Sequence, residues 1–70
     1  MERQVRNMRI TMRAARINRN MTQKEVATKL NVSKKTVSSW ENGKTFPGSD
    51  KIEAICELYG LSYDDIQWRA

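Results

Sequence analysis

Two short helices, joined by about four residues, are predicted between Thr22 and Gly43. Thr22 and Glu25 have the spacing of a capping box, in which each side chain accepts a hydrogen bond from the other residue's backbone N–H. Asn31 can adopt the left-handed conformation that ends a helix, and Ser33 is a favourable N-cap for the second helix. Isolated helices of this length are marginal in water, so the rest of the chain must supply a layer for them to pack against.

The second of these helices, predicted over about 34–41, has a thin apolar side formed by Val37 and Trp40. Its outward side carries short hydrogen-bonding groups, namely Lys34, Lys35, Ser38 and Ser39. A DNA-reading helix needs donors for guanine or phosphate, small hydroxyls for base edges and no bulky apolar group on its outward side. The same residues also fit an ordinary solvated helix face, so their composition alone leaves both interpretations open.

The stretch resembles the helix-turn-helix of the lambda-repressor/Cro-like (XRE) family. The segments that carry the resemblance are T-Q-K-E-V-A, the L-N-V-S turn, T-V-S-S-W-E-N-G-K and Pro47. Residues 8–66 fit the family pattern without a gap, although Asn20 stands where the family usually has Gly, and Ala15 where it usually has a larger aliphatic residue. The resemblance implies an all-α, compact five-helix, lambda-repressor-like DNA-binding domain over residues 1–70, with the helix-turn-helix at about 22–42.

The resemblance also implies roles for individual side chains. Helix 3 is expected to lie in the major groove, with base-reading residues Lys34, Lys35, Ser38 and Ser39. Phosphate contacts are expected from Gln23, Asn42, Lys44 and Thr45, and Gly43 is expected to let backbone N–H groups approach a phosphate. A partly buried ion pair between Arg16 and Glu41 is expected to tie the first helix to the third. The alternatives are a plain helix start at Gln23, a simple helix-ending turn after Glu41 and a solvent-exposed Arg16.

Apolar spacing predicts the remaining helices. A first helix is predicted over 4–19, with an inward stripe formed by Val5, Met8, Met12 and Ala15. A second stripe on this helix, Ile10, Ala14 and Ile17, either packs on the C-terminal segment or forms a small association patch. A fourth helix is predicted over 49–59, and Ser62 to Asp65 forms a capping pattern that opens a short fifth helix. Leu61 and Ile66 are expected to turn inward, and Trp68 is either a packing residue or part of a dimer contact. The segment after Gly60, with Leu61, Ile66 and Trp68, is the candidate dimer interface.

The charge distribution favours a polyanionic partner. The net charge of the 70 residues is +5. Residues 1–20 hold six Arg and one Glu, residues 21–45 five Lys and two Glu, and residues 46–70 two basic and five acidic residues. A basic N-terminal part and an acidic C-terminal part suit a protein that binds DNA on one side. From charge alone, the alternative is a basic surface that only keeps the protein soluble.

Enzymatic chemistry has little support in the sequence. The chain has no His and a single Cys, Cys56, which is expected to be a buried thiol. Asp64 and Asp65 are accounted for by capping, and no Gly-rich phosphate loop occurs. No cofactor, metal or catalytic residue is therefore expected. The single thiol and the absence of an apolar signal or membrane run fit a cytoplasmic protein.

The leading hypothesis is a sequence-specific regulator of transcription, expected to be a repressor, that binds double-stranded DNA as a homodimer on an inverted repeat. The alternative is an antitoxin or antagonist module on the same fold, which acts mainly by binding a protein partner. Salt dependence separates the two classes, because phosphate-driven binding weakens steeply as salt rises.

Overall fold

The structure is a computed structural model that describes residues 9–69 and is mostly helical within that range. The elements run in the order β1 (Ile10–Thr11), α1 (Met12–Asn18), α2 (Gln23–Leu30), α3 (Lys34–Glu41), α4 (Ser49–Tyr59), a 3-10 turn (Tyr63–Asp65) and β2 (Ile66–Gln67). The predicted helix-turn-helix is formed by α2 and α3, and the predicted fourth helix is α4.

Capping residues set the limits of α2 and α3, as the sequence predicted. The Thr22 hydroxyl accepts from the Glu25 N–H at 3.0 Å, and the Glu25 carboxylate accepts from the Thr22 N–H at 2.8 Å. Asn31 has φ 58° and ψ 46°, the left-handed conformation that ends α2. The Ser33 hydroxyl accepts from the Thr36 N–H at 3.1 Å and so begins α3. The ammonium group of Lys51 on α4 donates to the Leu30 carbonyl at 2.8 Å, which satisfies a C-terminal carbonyl of α2.

The core is formed by inward-facing residues of the four helices α1 to α4 together with two residues of the C-terminal segment. Its buried members are Met12, Ala15, Val26, Ala27, Leu30, Val37, Trp40, Ile55, Tyr59, Ile66 and Trp68. Burial of this apolar area is the main stabilising contribution that holds the short helices together. Cys56 was expected to be buried, but the structure leaves it partly exposed beside this core.

The first helix is shorter than predicted. Thr11 has extended backbone angles, φ −70° and ψ 160°, and its hydroxyl accepts from the Ala14 N–H at 3.1 Å, so α1 begins only at Met12. Ile10 and Thr11 instead form β1, which pairs in parallel with β2. Ile10 therefore packs on the C-terminal segment, whereas Ile17 is 56% exposed. The predicted helical positions Val5 and Met8 lie outside the described residues.

The predicted fifth helix is wrong, so the described residues contain four α-helices. The Ser62–Asp65 cap forms, with the Asp65 carboxylate accepting from the Ser62 N–H at 3.0 Å. Only one 3-10 turn follows, because the Tyr63 carbonyl accepts from the Ile66 N–H and from the Trp68 indole N–H. The chain then becomes extended as β2.

The proposed dimer interface at the C-terminus is also corrected by the structure. Ile66 is 1% exposed and Trp68 is 8% exposed, since both pack into the core of their own chain. Their apolar surface is therefore not available to a second copy of this fold.

We expect alkaline pH to destabilise this fold through Tyr59. Burial raises the pKa of the Tyr59 phenol to about 12, with the Glu41 charge adding to the shift and the Arg16 charge opposing it. The folded pKa lies above the unfolded value of about 10, so this stabilisation is complete below pH ~10 and is lost as the pH rises towards ~12.

Urea unfolding of the wild type and Tyr59→Phe at pH 8 and pH 11.5 tests this expectation. Between pH 8 and pH 11.5 the free energy of unfolding of the wild type should fall by about 1–2 kcal/mol more than that of the variant. This value is smaller than the full pKa shift of Tyr59 implies, because solvent screens part of the interaction. Equal losses would show that the phenol does not titrate differently on folding.

Candidate nucleic-acid interface

The Glu41 carboxylate at the end of α3 is bound by Arg16 from α1. The Arg16 Nε donates to Glu41 Oε2 at 2.8 Å, and Nη2 donates to Oε1 at 3.1 Å, so the pair is bidentate. The remaining Nη1 donates to the Met21 carbonyl at 3.0 Å. The Glu41 side chain is 1% exposed and the Arg16 side chain 13% exposed. This geometry fixes the C-terminus of α3 against α1.

Two further side chains converge on the same carboxylate. Gln23, the first residue of α2, donates from Nε2 to Glu41 Oε1 at 2.9 Å. Arg13 donates from Nε to the same oxygen at 3.5 Å, a weaker contact from a side chain that is half exposed. One buried carboxylate thus joins α1, the N-terminus of α2 and the C-terminus of α3. Gln23 is therefore held in place by α3 as well as by its own helix.

The Glu41 carboxyl remains ionised under ordinary conditions. Burial raises its pKa, but the hydrogen bonds from Arg16, Gln23 and Arg13 and the Arg16 charge outweigh burial, so the pKa is lowered overall. The hydrogen bond to Glu41 in turn raises the pKa of Arg16. The centre of the network is therefore a charged pair rather than a neutral hydrogen bond.

Asn42 extends this network to the outward side of α3. Its Oδ1 accepts from Arg13 Nη2 at 2.9 Å, and its Nδ2 donates to the Ser38 Oγ at 3.3 Å. Arg13 was not among the site residues predicted from the sequence. Its position one helical turn before Arg16 was the signal that both guanidinium groups could reach the same partner.

The loop after α3 differs in one respect from the expectation. Gly43 has φ 74°, as a helix-ending glycine allows. The N–H groups of Lys44 and Thr45 both point to the Ser39 carbonyl, at 2.9 and 3.4 Å, and the Gly43 N–H donates to the Trp40 carbonyl at 3.2 Å. These backbone N–H groups are used within the loop and are not presented to a phosphate. Any phosphate contact here must come from the side chains of Asn42, Lys44 and Thr45.

The outward side of α3 carries the predicted base-reading residues. Lys34 and Lys35 are exposed, and Ser38 and Ser39 are half-buried. Val37 and Trp40, 2% and 6% exposed, form the opposite side of the helix and pack into the core. The Ser38 hydroxyl accepts from Asn42, so its own proton can be donated outward.

Within residues 9–69, no cluster of three or more His, Cys, Asp or Glu side chains could hold a metal ion. No helix in that part of the chain has the length and apolar character needed to cross a membrane.

Comparison with known proteins gives two matches. A family model described as helix-turn-helix matches residues 12–66. The HTH-type transcriptional activator BcrR of Enterococcus faecalis is 31% identical to the chain over 51 residues, which cover 73% of this chain and 25% of the relative. The chain thus matches about a quarter of the length of that relative. No solved structure matches the chain.

Proposed function

We propose that this chain, which belongs to the helix-turn-helix family, is a sequence-specific DNA-binding regulator of transcription. In the proposal, α3 lies in the major groove, and two copies bind the half-sites of an inverted repeat. Residues in the loop after α3 and at the start of α2 contact the flanking phosphates.

The observation that carries the proposal is the network around Glu41. It fixes Gln23 at the N-terminus of α2 and, through Arg13, Asn42 after the C-terminus of α3. A helix N-terminus favours an anion, because its first N–H groups point outward. The candidate phosphate contacts Gln23 and Asn42 therefore lie at the two ends of the helix-turn-helix, at a fixed distance from each other. A protein that must bind DNA in one register needs such fixed contacts to the backbone.

The exposed side chains of α3 supply the means of reading bases. Lys34 and Lys35 can donate to the O6 and N7 atoms of guanine. The Ser38 hydroxyl, oriented by Asn42, can donate to a base acceptor. Because Val37 and Trp40 bind this helix to the core, α3 presents these groups from a rigid element rather than from a loop.

Dimeric binding follows from the small size of the reading surface. One helix of eight residues reaches only a few base pairs. Two-fold partners that read half-sites about one helical turn apart are the common solution for such modules. Since Ile66 and Trp68 are in the core, the partner contact must use other residues.

Selection of bound sites from a random duplex library tests the proposal directly. We expect the recovered sites to contain an inverted repeat with half-sites about 10 base pairs apart. We also expect affinity for the recovered duplex to fall with salt, at a log–log slope of about −0.9 per phosphate contact.

Two other results would contradict the proposal. Recovery of a single half-site would contradict the dimer. No enrichment at moderate salt would contradict the regulator and favour the antitoxin or antagonist alternative, whose apolar protein interface is insensitive to salt. The exposed Ile17 is the first residue to examine in that case.

The expected sign of regulation is repression, because a bound domain excludes other proteins from the same DNA. The matched relative is named an activator, so the sign must be measured. A reporter with the selected site overlapping a promoter should lose expression when the protein is present, and increased expression would assign activation instead.

A further inference from the structure

The C-terminal segment lies beside the loop that follows α3. Ile66 pairs in parallel with Ile10, which attaches the C-terminal segment to β1. The Trp68 indole N–H donates to the Tyr63 carbonyl at 3.0 Å. The rings of Trp68 and Phe46 meet edge to face, with centroids 6.4 Å apart. The end of the described chain is therefore held against the loop by buried and aromatic contacts.

This packing brings the Arg69 guanidinium over the Phe46 ring. Its Cζ lies 5.1 Å from the centre of the Phe46 ring, within the range of a cation–π contact. The Arg69 carbonyl accepts from the Gln67 side chain at 3.3 Å. The Arg69 side chain is exposed to solvent beside this ring.

A cleft of about 350 Å³ lies between this segment and the loop. It is lined by Gly43, Lys44, Thr45, Phe46, Trp68 and Arg69. The lining thus combines two cations with a hydroxyl and contains no acidic residue. Lys44 and Thr45 are also candidate phosphate contacts, which places the cleft at the edge of the candidate nucleic-acid interface.

We propose that Arg69 and Lys44 together form a phosphate-binding site that receives a backbone phosphate of the DNA beyond the groove read by α3. The proposal rests on the proposed DNA binding and adds a contact from outside the helix-turn-helix. The backbone N–H groups of the loop donate to the Ser39 and Trp40 carbonyls, so side chains must supply the donors. A planar guanidinium can bind two phosphate oxygens at once, and that of Arg69 lies over the ring of Phe46.

Salt dependence of binding tests this site with the full chain. Affinity for the selected duplex should be measured from 50 to 300 mM KCl for the wild type, Arg69→Gln and Arg69→Lys. Loss of one phosphate contact should reduce the log–log slope by about 0.9, which corresponds to weaker binding on the order of tenfold at 0.1 M salt. Arg69→Lys keeps the charge and should restore most of the slope. Circular dichroism should show that each variant remains folded.

Two further variants separate the possible failures. Lys29→Gln makes the same charge change in a different cleft, which contains Glu57 and lies between α2 and α4, and it should leave the slope unchanged. Lys44→Gln should reduce the slope as Arg69→Gln does. A wild-type slope for Arg69→Gln beside a reduced slope for Lys44→Gln would overturn the site and leave the proposed function intact. A wild type with no steep slope would overturn both.

Neutral phosphates locate the contact. Duplexes in which single phosphates are replaced by methylphosphonate should show one position per half-site that weakens the wild type several-fold and weakens Arg69→Gln clearly less, since only the Lys44 contact to that phosphate remains to be lost in the variant. Equal losses in both proteins at every position would overturn the assignment to Arg69.

Discussion

Glu41→Ala is expected to lower the free energy of unfolding by about 3–5 kcal/mol, because it leaves the largely buried Arg16 guanidinium without its carboxylate. A domain of this size has a total stability of roughly 4–10 kcal/mol, so the variant should be partly unfolded at 37 °C. Urea unfolding followed by circular dichroism measures the change. Glu57→Ala removes an exposed carboxylate on α4 and should change stability by no more than about 0.5 kcal/mol.

A double variant shows whether the cost comes from the orphaned charge. Arg16→Met together with Glu41→Leu replaces the pair by apolar groups, and this double variant should be more stable than Glu41→Ala alone. If Glu41→Ala has wild-type stability, the network around Glu41 does not hold the helices together.

Acid titration gives a second measure of the same network. The folded pKa of Glu41 is lowered, so its stabilisation is present above the unfolded pKa of about 4.3 and is lost as the pH falls through the folded value. The stability difference between the wild type and Glu41→Gln should therefore be largest near pH 7 and shrink below pH ~4. A constant difference across this range would mean that the carboxylate charge is not the source.

The combined variant Lys34→Ala, Lys35→Ala, Ser38→Ala is expected to remain folded and to lose discrimination between its selected site and a scrambled duplex. All three side chains lie on the outward side of α3, and none belongs to the core. Each good base contact contributes about 1–3 kcal/mol of discrimination, so the ratio of the two dissociation constants should fall on the order of 100-fold. Competition binding at fixed salt measures this ratio.

A control with the same change in composition lies on α2. Lys24→Ala, Thr28→Ala, Lys29→Ala removes two lysines and one hydroxyl from exposed positions. It should leave the ratio of the two dissociation constants unchanged, because these side chains lie on α2, away from the proposed base-reading side of α3. If the control loses discrimination and the α3 variant keeps it, the reading surface is not α3.

Much of the helix-turn-helix could be predicted from the sequence because its signals are local. The Thr22–Glu25 capping box, the left-handed Asn31 and the Ser33 cap each act within three or four residues, and the structure forms all three. The inward residues Val26, Leu30, Val37 and Trp40 follow from helical spacing in the same way. The candidate base-reading and phosphate-contacting residues came from motif spacing and remain predictions.

The ends of the domain were decided by contacts between segments far apart in sequence. Helical spacing extended the first helix back to residue 4, and the capping pattern from Ser62 to Asp65 predicted a fifth helix. In the structure, pairing of Ile10 with Ile66 draws both segments into short strands, and Trp68 packs into the core. No local pattern encodes this pairing, since each strand of two residues gains its hydrogen bonds only when the other is already in place.

The sequence by itself therefore determined the two capped helices, their buried faces and the residue types available to a DNA partner. The tertiary structure alone decided which further side chains join the predicted pair of Arg16 and Glu41 and where the C-terminal charges lie. Arg13 reaches Asn42 because α1 lies across the end of α3, and Arg69 lies beside Lys44 because β2 returns to the loop after α3. The physical reason is that capping and helical periodicity act over one or two turns, whereas the position of a long charged side chain depends on how whole elements pack.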